Sequence, residues 1–104
     1  MPQGPIPVKA VAPSYGLTDV TAAAVIKATP GVLAQVIISA VGSAGSLTFN
    51  NTITTGGATT ANQIITIAFG SLTVGEVLNL NFPCSAGIVL SAIPTAGVIS
   101  IAYS

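Results

Sequence analysis

Residues 63–82 read QIITIAFGSLTVGEVLNLNF, and this stretch decides the fold class. Large apolar side chains recur at every second position towards each of its ends: Ile65, Ile67 and Phe69, then Leu78, Leu80 and Phe82. The positions between them are small or polar: Thr66, Ala68, Asn79 and Asn81. A period of two places the apolar side chains on one face of a β-strand. We therefore predict two half-buried strands joined by a glycine-bounded turn over residues 70–75.

The same alternation occurs in other parts of the chain. Two further segments, SLTFNNT and VISIAYS, are predicted to be strands. The side chains predicted to face the core are Leu47 and Phe49 in the first, and Ile99, Ile101 and Tyr103 in the second. Their neighbours are predicted outside: Thr48, Asn50, Val98, Ser100 and Ala102. Three more apolar runs, TAAAVIKA, VLAQVIISAV and AGIVLSAI, are strand candidates because they are rich in valine, isoleucine and leucine.

Turn residues separate these runs at nearly regular spacing, at 29–31, 42–45, 56–57, 70–75, 83–87 and 94–97. About seven to eight short strands without helical periodicity predict an all-β chain, folded as a single antiparallel β-sandwich or jelly roll. The segment TDVTAAAVIKA keeps a helix as its alternative, because an aspartate at a cap position precedes three alanines. Residues 54–63, TTGGATTANQ, are predicted to form a polar loop at a solvent-facing tip.

The N-terminal segment differs in composition from the rest. It holds four prolines, which favour extended backbone: Pro2, Pro5, Pro7 and Pro13. We predict an extended arm over residues 1–16, with a frayed terminus as the alternative, and a β-sandwich domain over residues 17–104. No basic stretch precedes an apolar run, and the run GVLAQVIISAVG is shorter than the roughly 18–20 residues that cross a bilayer. The sequence therefore predicts a soluble protein, made in the cytoplasm, without a membrane partner.

Charge is the main anomaly of the sequence. Charged residues make up 4% of the chain, against about 25% in a typical soluble domain. They are Lys9, Asp19, Lys27 and Glu76, so residues 28–75 carry no charge at all. Strands without charged residues at their edges invite other strands to pair with them. We therefore expect these surfaces to be covered by copies of the same chain, as a homo-oligomer, or by a larger scaffold.

The sequence offers little material for catalysis. It has no histidine, Cys84 stands alone, and Asp19 and Glu76 are the one conceivable carboxylate pair. One cysteine and two acids do not make a zinc or calcium site, and two lysines without an arginine are too few to neutralise phosphates. We predict no catalytic, cofactor-binding or metal-ligating residue, no cofactor and no nucleic-acid partner. Cys84 is expected to be a small buried hydrophobe, and the protein is not expected to be an enzyme.

Three segments together suggest a family: AVIKATPGVLAQVIISAVGSAGSLTFNN at 24–51, FPCSAGIVLSAI at 82–93 and GVISIAYS at 97–104. They resemble a set of small proteins encoded among the virion genes of tailed bacteriophages and prophages. Such proteins join their first two strands through a Lys-Ala-(Thr/Ser)-x-Gly segment, here Lys27 to Gly31. A glycine-rich turn follows, here 42–45, and the chain ends on a Val-Ser-Tyr-like strand, here 99–104. The resemblance covers roughly residues 20–104 and leaves the proline arm outside.

The resemblance implies a capsid decoration, or cement, protein. Such a protein is a small β-sandwich, often a homotrimer, that binds the major capsid protein on the outer surface of the phage head and stabilises the shell. It would be located on the virion after synthesis in the bacterial cytoplasm. Two alternatives remain: a tail or head-fibre location, and a host-attachment module that binds carbohydrate. The second would show exposed aromatic side chains beside Asn or Asp on one surface.

Overall fold

The computed structural model describes residues 15–104, which form eight β-strands and no α-helix. The strands are β1 (Tyr15–Val20), β2 (Ala24–Lys27), β3 (Gly31–Ala40), β4 (Ser46–Asn50), β5 (Gln63–Ala68), β6 (Val77–Cys84), β7 (Ile88–Ala92) and β8 (Val98–Tyr103). Three short 3₁₀ turns cover Thr55–Gly57, Thr60–Asn62 and Phe69–Ser71. The strands make two antiparallel four-stranded sheets with a shared apolar core. The predicted all-β sandwich is confirmed.

The order of the strands identifies the kind of sandwich. Sheet A has the order β1-β8-β3-β6, and sheet B has the order β2-β7-β4-β5. The first strand pairs with the eighth, the second with the seventh, the third with the sixth and the fourth with the fifth. The chain is thus one long antiparallel hairpin rolled over itself, and the pairs β3–β8 and β4–β7 close the roll. This arrangement is a jelly roll, one of the two architectures that the sequence left open.

Both sheets contribute to the core between them. Its fully buried side chains include Leu33, Val36, Ile38, Ile99 and Ile101 from sheet A, and Leu47, Phe49, Ile88 and Leu90 from sheet B. The inward positions predicted for β4 and β8 are therefore confirmed, and Tyr103 packs half-buried against the same cluster. Phe69, also predicted inside, is fully buried from the 3₁₀ turn after β5. Burying a side chain of this size contributes roughly 1.5–3 kcal/mol.

Phe82 lies on the predicted face, opposite the buried Leu33, but it is less buried than predicted. Its side chain is 38% exposed and does not belong to the core cluster. Phe82 lies on β6, an edge strand that is irregular at this point: Asn81 has a left-handed backbone, with φ of 47°, and the β3–β6 register shifts between Leu33 and Gln35. Because β6 is an edge strand, no further strand lies beside Phe82 to cover its ring. The buried position at the end of this strand belongs to Cys84.

The helix that remained possible for TDVTAAAVIKA does not form. This segment contains the end of β1 and the whole of β2, and β2 pairs with β7. β1 ends irregularly, because Asp19 has a φ of 53° and the register with β8 shifts between Leu17 and Val20. The predicted arm, residues 1–16, lies outside the described residues except for Tyr15 and Gly16. These two are the first residues of β1.

Candidate interaction surfaces

The outer face of sheet A is uncharged at its central positions. The alternation that directs Val36, Ile38, Ile99 and Ile101 into the core puts these residues on the opposite face: Gln35, Ile37, Val77, Asn79, Ser100 and Ala102. Ile37 and Val77 are cross-strand neighbours and are 37% and 43% exposed. Beside them, the Gln35 amide donates a hydrogen bond of 2.8 Å to the Asn79 side-chain oxygen. Hydrated but uncharged groups of this kind are inexpensive to desolvate when they keep their hydrogen bonds.

The turn that leads into β6 carries another exposed apolar side chain, three residues before Val77. Val74 is 66% exposed, and the next residue, Gly75, donates its backbone N–H to the Ile38 carbonyl at 2.7 Å. Glu76 is the one charge in the turn, and its carboxylate accepts the Thr73 backbone N–H at 3.0 Å. That carboxylate is therefore engaged within its own turn. We call Ile37, Val74 and Val77 the apolar patch.

No residue of the apolar patch was predicted from the sequence to be exposed, although the sequence contains one indication of it. VLAQVIISAV contains Val36, Ile37 and Ile38 in succession. Three consecutive large apolar residues in a strand place at least one of them on each face. With Val36 and Ile38 in the core, Ile37 must lie on the outer face, and the structure places it there.

The prediction that Asn50 faces solvent is wrong. It is only 2% exposed, although it lies on the outer side of β4 between the buried Phe49 and the loop. Its amide nitrogen donates to the Thr59 carbonyl at 2.9 Å and to the Asn62 side-chain oxygen at 2.7 Å. Its oxygen accepts the Ser91 hydroxyl at 2.6 Å. The polar atoms of the Asn50 side chain thus find all their partners inside the protein. Two of these partners are in the loop, so Asn50 attaches the loop to sheet B.

The predicted loop over residues 54–63 is largely solvent-facing, with residues 54–56 and 59–61 exposed, but Gln63 already belongs to β5. The loop also folds back along sheet B, where Asn50 holds it. Between the loop and the sheet lies an open cleft of about 270 Å³. Hydroxyl and amide side chains dominate its lining: Thr48, Asn50, Ala58, Thr59, Thr60, Gln63 and Ser91. These seven residues include no aromatic and no charged side chain. The cleft thus lacks the stacking group that the carbohydrate-binding alternative requires.

The five aromatic side chains differ in exposure, and Tyr103 is half-buried. Phe49 and Phe69 are fully buried, whereas Tyr15 is 58% exposed and Phe82 is 38% exposed. The Tyr15 ring packs against that of Tyr103, with 5.4 Å between centroids. The pairs Tyr15–Tyr103, Tyr103–Leu33 and Leu33–Phe82 form one row across all four strands of sheet A. The exposed aromatics therefore lie at the two edges of this sheet.

The two carboxylates that could have formed a catalytic pair are not brought together. Asp19 is on β1 and Glu76 directly precedes β6, and these strands are the opposite edges of sheet A. Three strand spacings separate them by roughly 14 Å. Within residues 15–104, no three His, Cys, Asp or Glu side chains are grouped as metal ligands would be.

Cys84 is buried, as the sequence predicted, at 2% exposure. Desolvation raises the pKa of its thiol above the ordinary 9.0, while a backbone hydrogen bond involving Leu33 acts in the opposite direction. Its sulfur lies 3.6 Å from the Phe82 carbonyl oxygen. Because the reactive form of a cysteine is its thiolate, burial and a raised pKa make this thiol unreactive in the folded state.

Comparison of the chain with protein-family models, with curated proteins and with solved structures gave no match. Among the helices of the described part of the chain, none is long and apolar enough to span a membrane.

Proposed function

We propose that this chain is a structural virion protein, a capsid decoration protein that self-associates and binds the major capsid protein on the outside of a bacteriophage head. Two properties of the chain support the proposal: an all-β jelly roll and a near absence of charge. The sequence resemblance given above agrees with both. A jelly roll also serves many other functions, so the fold alone does not select this one.

The observation that carries the proposal is the uncharged outer face of sheet A with the apolar patch at its end. Ile37, Val74 and Val77 expose between 37% and 66% of their surface. The cores of protein interfaces are depleted in charged residues, and a stable contact buries about 800 Å² on each partner. Contacts of this chemistry hold many copies on a shell without depending on ionic conditions.

A pair of matched substitutions tests this contact. Val77 in the apolar patch and Val25 on β2 of sheet B are both 43% exposed. We expect Val77→Lys to weaken binding to heads by about tenfold or more, because a lysine would be desolvated in an apolar contact. Val25→Lys should bind as the unaltered protein does. The heads are to be assembled, without this chain, from the major capsid protein of the phage that encodes it, and binding is measured by co-sedimentation.

The salt dependence of binding supplies a second readout. Since the contact contains no ion pairs, raising the salt concentration from 50 mM to 500 mM should leave the affinity almost unchanged. If the unaltered protein does not bind such heads, the proposal fails. If the two lysine variants bind equally well, the sheet A face is not the contact.

A host-attachment module is the second candidate, and one observation favours it. Phe82 is 38% exposed and directly follows Asn81, on the edge of sheet A. An exposed aromatic ring is the kind of group that stacks on a sugar, and Asn81 is its neighbour in the chain. This function would be favoured over decoration if the isolated protein binds a glycan array and Phe82→Ala abolishes that binding. Cryo-microscopy of the intact particle separates a head from a tail or fibre location.

A further inference from the structure

The jelly roll has four edge strands: β1 and β6 in sheet A, and β2 and β5 in sheet B. The outer backbone N–H and C=O groups of an edge strand are free to pair with a strand of another molecule. Proteins prevent this pairing with charges, prolines, irregular backbone or very short strands at their edges. Comparing the four edges therefore indicates where another chain can add.

Three of the edges carry such protection. On β1, Asp19 combines a charge with a left-handed backbone, at a φ of 53°. β2 has four residues, ends on Lys27 and shifts its register before that lysine. β6 contains Pro83 and the left-handed Asn81, and Glu76 directly precedes it. The three charges of the described chain are thus placed on or beside these three strands.

β5 carries none of this protection along most of its length. Its sequence, QIITIA, has no charge and no proline, and its residues have no left-handed backbone. One register shift occurs near its beginning, and residues 65–68 then pair regularly with β4. Thr66 and Ala68 are exposed, while Ile65 and Ile67 pack against the core only half-buried. This edge thus leaves both its backbone and two core-facing isoleucines incompletely covered.

The pattern of β5 is complementary to itself. If two copies lie antiparallel about a two-fold axis at Thr66, Ile65 of each copy faces Ile67 of the other. On the outer face, the two Thr66 side chains then face each other. Within one copy, the hydroxyls of Thr48 and Thr66 already lie 2.8 Å apart across β4 and β5. The pairing would extend this into a row of four threonines, and apolar and threonine cross-strand pairs both stabilise sheets.

We propose that β5 of one copy pairs antiparallel with β5 of a second copy, about a two-fold axis at Thr66. The two sheets B become one continuous eight-stranded sheet. A second copy is the occupant that fits, because an uncharged strand meets its own copy without repulsion and with like side chains opposite like. The inference rests on the self-association contained in the proposed function. It predicts an even number of copies, in place of the trimer that the resemblance implies.

Substitution at the centre of this contact gives the first test. Thr66→Lys puts two like charges directly opposite each other, and Thr18→Lys adds the same charge at an exposed threonine of β1. Analytical ultracentrifugation should give a dimer, or a higher even number, for the unaltered protein and for Thr18→Lys. Thr66→Lys should dissociate about tenfold more readily or become monomeric, because like charges opposite each other destabilise strand pairs. Circular dichroism establishes that each variant is folded.

A cross-linking variant tests the register without adding a charge. Residues directly opposite each other have Cβ atoms roughly 4.5–5.5 Å apart, which a disulfide can bridge with a small adjustment. Under mild oxidation, Thr66→Cys should give a covalent dimer, and Thr18→Cys should not. Cys84 remains in both variants because it is buried.

The outcomes separate this contact from the proposed function. The β5 contact is overturned if Thr66→Lys leaves the oligomer intact and Thr66→Cys gives no cross-link. Self-association itself would still stand in that case. A trimer as the sole assembly also overturns the β5 contact. A monomeric unaltered protein overturns both this contact and the self-association part of the proposed function.

Discussion

Replacing Asn50 by alanine is expected to destabilise the fold far more than a surface asparagine should. Asn50 is 2% exposed and makes three side-chain hydrogen bonds, to Thr59, Asn62 and Ser91. In the variant, the Thr59 carbonyl loses the side-chain donor that it has in the folded protein. Asn62 and Ser91 keep other partners, the Thr59 backbone N–H and the Thr48 carbonyl. The loss therefore falls mainly on the attachment of the loop to sheet B.

The size of the effect follows from these contacts. A net contribution of about 1 kcal/mol for each buried hydrogen bond gives a loss of about 3 kcal/mol for Asn50→Ala. For a domain of this size, such a loss lowers the melting temperature by roughly 12–24 °C. Asn79 provides the matched control, because it is exposed and makes one side-chain hydrogen bond, to Gln35. Asn79→Ala should cost about 0.5 kcal/mol.

Urea unfolding followed by circular dichroism measures both free energies. Limited proteolysis adds a local readout, and proteinase K is the suitable enzyme because residues 51–62 contain no lysine or arginine for trypsin. The loop should be cut faster in Asn50→Ala than in Asn79→Ala. If Asn50→Ala costs less than about 1 kcal/mol, or no more than Asn79→Ala, the hydrogen bonds of Asn50 do not hold the loop and the reasoning is refuted.

Three other predictions concern the described residues. An added Cβ at Gly87 would lie 2.6 Å from the backbone oxygens of Lys27 and Thr52, so Gly87→Ala should cost about 2 kcal/mol or more in urea unfolding. Gly56→Ala, where an added Cβ meets no atom within 4 Å, should be nearly neutral. Because burial raises the pKa of Cys84, the folded state keeps a proton that the unfolded chain releases above about pH 9. This contribution to stability is complete below that pH and should fall above it, by up to about 1.4 kcal/mol per pH unit, relative to Cys84→Ala. With no histidine in the chain, the melting temperature should change by less than about 10 °C between pH 5 and 9.

The strands were predictable because alternation is a local property. Leu47, Phe49, Ile99 and Ile101 alternate with residues that are polar or smaller, and all four are buried. The jelly-roll order was not predictable, since it depends on which strands pair over long distances. β1 pairs with β8 across almost the whole described chain, and no local pattern in either strand specifies that pairing. The sequence could therefore give the number and type of the strands, but not their order.

Two errors at individual residues have a common cause. Alternation placed Asn50 outside and Phe82 inside, and each assignment assumed that only the two sheets determine burial. Asn50 is covered by a loop that follows it in the chain, and Phe82 lies on an edge where the pairing is irregular. A period of two gives the face on which a side chain lies. Burial also depends on what covers that face, which is a property of the tertiary structure.

The β5 edge shows both limits of the sequence: it gives neither the order of the strands nor what covers them. The approximate symmetry of QIITIA about Thr66 is visible in the sequence, yet the same string in a central strand would meet neighbours on both sides and offer nothing to a second copy. Only the strand order places β5 at an edge, and only comparison with the other edges reveals that the three charges within residues 15–104 lie on or beside β1, β2 and β6. A protein with so little charge can protect few edges. The edge that it leaves unprotected is therefore the place where its own copies should meet.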